Sequence, residues 1–173
     1  RLIPPVQGGA TAKERHKMQT ISGNSGNAID HIFGRPKALI GMIHCPPFPG
    51  SPRYRGEPLD QIYDACLRDA EGLISNGLHG LVVENHGDVP FSKPDEIGPE
   101  TSAFMAVVVD RIKRNFDVPI GINVLANAPI PALAIARATG AAFIRVNQWA
   151  NAYVANEGFM EGRAASAMRY RSA

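Results

Sequence analysis

Hydrophobic positions along the chain follow two alternating periods, and together they predict a succession of strand–helix units. Apolar runs at 37–45 (KALIGMIHC), from Leu81, at 120–125 and at 142–147 read as buried strands bounded by Gly, Pro and Asn. After Pro58, the residues Leu59, Ile62, Tyr63, Cys66, Leu67, Ala70, Leu73 and Ile74 recur at three- and four-residue steps. That spacing predicts an amphipathic helix, stopped by Asn76 and Gly77. Pro99 and Glu100 open a second helix with Phe104, Met105, Val108 and Ile112 inward. Its C-terminal end carries Arg111, Lys113 and Arg114, where cations suit the helix dipole. An Ala-rich helix over 131–139 closes at Gly140, and a last helical stretch over about 161–170 follows the polar loop QWANAYVANEG. Residues 1–35 show no sustained period and are expected to form a mobile arm, with a short helix over 29–33. Residues 36–173 form the folded unit, whose β-α repeat predicts a parallel sheet with helical crossovers.

The parity of each strand then separates the two parallel-sheet architectures. One parity holds Leu39, Gly41, Ile43, Leu81, Val83, Asn85, Ile120, Ile122, Val124, Ile144 and Val146 and is almost wholly apolar. The other holds Met42, His44, Val82, Glu84, His86, Gly121, Asn123, Phe143, Arg145 and Asn147, and turns polar toward every strand's carboxyl end. An open doubly wound sheet is apolar on both faces. A (β/α)8 barrel with a site at its C-terminal rim gives the mixed pattern instead. Neither G-x-G-x-x-G nor G-x-x-x-x-G-K-[ST] occurs, so the usual nucleotide-binding signatures of open sheets are missing. The expected fold is α/β, a TIM-type barrel of which only the N-terminal four β/α units are present. A complete barrel takes about 250 residues. The chain is therefore expected to be the N-terminal half of a longer protein, or else one of two copies that complete each other as a homo-oligomer.

Composition narrows the partners. Hydrophobic residues make up 45% and charged residues 20%, as in a globular protein, and the formal net charge is only +2. The basic residues are scattered, so no nucleic-acid partner is expected. No apolar run approaches the roughly 20 residues that span a bilayer, so no transmembrane segment is expected either. Cys45 and Cys66 make no disulfide framework, which points to a reducing, cytoplasmic setting.

The candidate chemistry gathers where the strands end. Glu84, Asp88 and His44 are the candidates for acid–base work, since a carboxylate or imidazole titrates usefully once its surroundings shift it. Glu84 and Arg145 lie at inward parity on alternate strands. They read either as a buried ion pair fixing the interior or as a carboxylate base beside an anion anchor. Asn123, Asn127, Arg145 and Asn147, with Gln148, offer groups suited to a small polar ligand such as a sugar or nucleoside-like compound, or else to capping loops. His44, Glu84, His86 and Asp88 mix nitrogen and oxygen donors for a divalent metal, in a spacing that matches no compact metal motif. Arg53 and Arg55 could clamp a phosphate. Trp149 and Tyr153 could form a lid. Cys45 is a poor nucleophile candidate, because His44 points to the opposite face.

Four ordered motifs carry a resemblance: IGMIHCPPFPGSPRY, GLVVENHGDVPF, NVLAN before the Ala-rich helix, and FIRVNQWANAYVANEGFMEG. Over about 32–171 the chain resembles the BtpA family, which also includes SgcQ-type proteins. The resemblance implies a ribulose-phosphate-binding-type barrel and the family's label, a factor in photosystem I biogenesis. It implies no reaction. The chain departs from a common family pattern in having His86 where Phe is frequent, and Ala126 and Ala128 flank Asn127 where Arg and Asp are often found. Three functions follow as expectations: an enzyme or binder of a small polar, possibly phosphorylated ligand; a non-catalytic assembly factor; or a truncated chain without activity of its own.

Overall fold

The computed structural model describes residues 26–173. Most of the expected N-terminal arm lies outside the described residues. Within the remainder, Ala28–Phe33 form helix α1. Asn27 caps it by accepting from the Ile29 N–H at 3.1 Å, and Gly34, in the left-handed region, closes it onto Asp30 O.

The chain then alternates as the periodicity predicts. Strands β1 (Ile40–His44), β2 (Gly80–Glu84), β3 (Ile120–Asn123) and β4 (Phe143–Ile144) alternate with helices α2 (Leu59–Ser75), α3 (Pro99–Asn115) and α4 (Pro129–Thr139). The four strands pair in parallel in the order β1-β2-β3-β4. A sheet in which strand order never reverses, with a helix in each crossover, is compatible with part of a barrel. A doubly wound sheet would reverse its order.

Ile43, Leu81, Val83, Ile120, Ile122 and Val124 share one core with Ile62 and Cys66 of α2, Met105, Val108 and Ile112 of α3, and Ile135 of α4. Full burial of each large side chain contributes about 1.5–3 kcal/mol. Leu39, expected on this face, is exposed because β1 starts only at Ile40. On the opposite face, aromatic rings fill the N-terminal end. There Gly80 makes room for the ring of Phe33 and Gly121 for that of Phe143, and the two rings meet edge to face at 5.7 Å. Further along, Met42, His44 and Arg145 are exposed.

Two boundaries differ from the sequence reading. Strand β4 ends at Ile144 rather than Asn147, although Arg145 N–H still donates to Ile122 O at 2.8 Å. Its partner β3 stops at Asn123, so no ladder remains to pair with. Within the expected polar loop, Ala152–Ala155 (β5) and Gly158–Glu161 (β6) form an antiparallel hairpin, with Gly158 in the left-handed region at its turn. Tyr153 and Met160 are cross-strand partners and pack with Leu125, Ala126 and Phe91 over the exit of β3. Helix α5 (Ala164–Ser172) ends the chain.

Candidate functional site

The ladder that builds the sheet also aligns its polar ends. His44 stands opposite Glu84, and Glu84 opposite Asn123, in the register of β1, β2 and β3. Arg145 follows β4 directly. The result is a row across all four strands, on the face away from α2, α3 and α4.

Glu84 is the centre of that row. Its side chain is 6% exposed, and both carboxylate oxygens are engaged. Asn123 Nδ2 donates to Oε1 at 2.5 Å and Arg145 Nη1 to the same oxygen at 3.1 Å, while His44 Nε2 lies 3.2 Å from Oε2. The two outer members, His44 and Arg145, are each 51% exposed. A buried carboxylate thus has a neutral amide beneath it and two solvent-facing nitrogen side chains at its flanks. His86 stacks on His44 with ring centroids 4.2 Å apart and 17° between planes.

The other candidates fall elsewhere. Asp88 is not beside Glu84. Its Oδ1 accepts from Phe48 N–H at 2.9 Å, and its Oδ2 accepts from Asn85 Nδ2 at 3.2 Å. Asn85 also exchanges two hydrogen bonds with the Leu125 backbone, so it and Asp88 tie together the loops leaving β1, β2 and β3. Asn85 was the missed residue here. Its signal was a polar side chain at a parity otherwise held by Leu81 and Val83.

Asn127 is likewise used on backbone: Nδ2 donates to Glu161 O at 2.9 Å and Oδ1 accepts from Gln148 N–H at 2.8 Å. It is fully buried at φ 55°, a conformation Asn adopts more readily than most residues. Its side chain clips two loops together. Gln148 bonds Ala150 O, and Arg55 bonds Pro52 O. Asn147 remains at the rim, with a buried and unpartnered Oδ1.

The four metal candidates do not form one donor set. Among the described residues, no group of three or more His, Cys, Asp or Glu side chains is placed to hold a metal ion. The reason is geometric: His44 and His86 stack face to face, while Asp88 points into the loop staple.

Electrostatics separates Asp88 from the row as well. Burial pushes its carboxyl above the ordinary aspartate range and Glu100 adds to this, against the bonds from Phe48 and Asn85. A carboxyl whose folded pKa is raised opposes folding when ionised, and this penalty fades as pH falls through the folded pKa. Urea midpoints taken at about pH 7 and about pH 4, close to the ordinary aspartate pKa, check this: wild type should gain stability relative to Asp88→Asn on acidification. An equal or opposite change would contradict it. Cys45 is held well above its usual range by its hydrogen bond to Cys66 and by burial, which leaves it a neutral thiol.

Among the described residues no helix is long and apolar enough to cross a membrane. No solved structure matches the chain. A curated relative, an uncharacterized protein of Archaeoglobus fulgidus, is 43% identical over 78% of this chain and 53% of its own length. Photosystem I biogenesis protein BtpA of Synechocystis is 38% identical over 80% of this chain and 48% of its own. An uncharacterized mitochondrial protein of Caenorhabditis elegans is 37% identical over 83% and 53%. The chain therefore spans about half the length of the curated relatives it matches. A model described as the BtpA family matches residues 35–173, nearly the whole folded region. The chain belongs to the BtpA family.

Proposed function

We propose that this chain is the N-terminal half of a (β/α)8 barrel whose strand ends bind a small polar, possibly phosphorylated ligand, with Glu84 as the fixed centre. The observation that carries the reading is the row itself. A buried carboxylate is contacted from three other strand ends, on the face that no crossover helix covers. In parallel-strand architectures, ligands collect at the carboxyl ends of the strands. Glu84 is held by opposing partners and serves as an orienter. His44, half exposed beside it, is the group placed to exchange a proton with a ligand, and Arg145 the group placed to meet an anion. Asp88 and Asn127 support the loops around them. The free, buried Cys45 and Cys66 suit a reducing, cytoplasmic setting.

The test is a thermal-shift panel of phosphorylated sugars and nucleosides against wild type, His44→Ala and Arg145→Ala. At least one compound should raise the wild-type Tm, and both variants should lose at least about 10-fold in apparent affinity, as expected for one charge-assisted contact. A ligand that bound both variants as tightly as wild type would sink the reading.

A second reading has its own observation. The Synechocystis relative bears the name photosystem I biogenesis protein. Here Val154 and Phe159, cross-strand partners in the β5–β6 hairpin, are 79% and 59% exposed. A non-catalytic factor would use such a surface on a larger complex. Its signature is a stoichiometric protein partner whose capture survives changes to Glu84 and Arg145.

A further inference from the structure

The Glu84 carboxylate imposes an orientation on its neighbour. An ionised carboxylate only accepts hydrogen bonds, so the Asn123 amide must turn its NH2 toward Glu84 Oε1. Arg145 reaches the same oxygen and His44 the other, so Glu84 is fully committed and the amide cannot be turned to advantage. The consequence is that Asn123 Oδ1 faces away from Glu84 with no partner, in a residue only 1% exposed. Two residues beyond Arg145 along the chain, Asn147 Oδ1 is also buried and without a partner. Among the described side chains, these are the two buried polar atoms left unmet. Asn123 shares Glu84 Oε1 with Arg145, and Asn147 follows that arginine by two residues along the chain. An unmet buried acceptor is costly, and a folded chain keeps one where some other molecule completes it.

We propose that Asn123 Oδ1 and Asn147 Oδ1 are the acceptors for two neutral hydroxyl groups of the ligand, whose anionic group is taken by Arg145. The class is a phosphorylated polyol. This rests on the reading of the Glu84 row as a ligand site and adds what that site recognises. Two uncharged acceptors favour hydroxyls. A cationic amine would meet the Arg145 guanidinium, which repels it. Arg145 is half exposed and, among the described contacts, gives one donor to Glu84, leaving the rest of its fork for an anion. Both amide oxygens lie below solvent reach, so the hydroxyls reach them only as the side chains at the strand ends part.

Asn147→Ala is the discriminating variant, because Asn147 makes no side-chain hydrogen bond among the described contacts. Removing an unmet acceptor should raise the Tm by about 2–4 °C. The same change should weaken glycerol 3-phosphate and ribose 5-phosphate at least about 10-fold by calorimetry, as a site built to read a hydroxyl requires. Propyl phosphate, which carries the anion without the hydroxyls, should bind wild type and variant alike. A Tm that is unchanged or falls would make Asn147 structural and overturn the proposal. So would hydroxylated ligands that bind wild type no better than propyl phosphate, which would leave an anion site at Arg145 standing. If none of the three phosphates binds wild type, the ligand class and the site reading fall together.

Discussion

Glu84→Ala is expected to lower the stability of the chain by about 3 kcal/mol, a Tm loss of about 6–12 °C for a protein of this size. The cost has two parts. The buried Asn123 amide loses its charged acceptor, and the side-chain volume is left empty in a buried place. Arg145 and His44 add little, because both are half exposed and water can meet them once Glu84 is gone. Glu84→Gln separates the parts. It keeps an oxygen for Asn123 and the volume, and loses only the charge, so more than half of the stability should return. Chemical denaturation of the three proteins is the measurement. A loss below about 1 kcal/mol in Glu84→Ala would show that the row does not hold the strand ends together.

Gly87→Ala has a comparable effect from an unrelated cause, again about 3 kcal/mol. Gly87 lies just after β2, where the chain crosses the loop that leaves β1, and its N–H donates to Cys45 O at 3.0 Å. A Cβ there would come within 2.5 Å of Pro47 N and 2.6 Å of Cys45 O, which are backbone atoms unable to rotate aside. Either the hydrogen bond breaks or the proline-rich loop moves, and Phe48 N–H would then leave Asp88. Gly72→Ala is the control, since it lies in α2 with open space around it and gains helix propensity. Equal midpoints for Gly87→Ala and wild type would remove the close crossing from the account of this rim.

These two residues show where sequence patterns carry and where they stop. The helices were legible because a buried stripe must repeat near 3.6 residues. Ile62, Cys66 and Ala70 face the core for the reason their spacing declares. The strands were legible because side chains alternate, and that alternation alone placed Glu84, Asn123 and Arg145 on one face. The hairpin over 152–161 was not legible. Its outward Val154 and Phe159 blur the polar positions that alternation needs, and its short turn lacks the usual Asn-Gly signal.

What the sequence by itself determined is therefore the order of the elements, the covered face of the sheet and the side of it that becomes polar. These follow from periods that each segment carries within a few residues. Only the tertiary structure decided which polar groups meet. Asp88 and Asn127 stand as near in sequence to the row as any ligand-binding residue would, yet they are spent on loop backbone from segments about 34–40 residues away. The acceptors of Asn123 and Asn147 are left open for the same physical reason. A hydrogen bond needs both partners at one point in space, and neither chain order nor period encodes where distant loops cross.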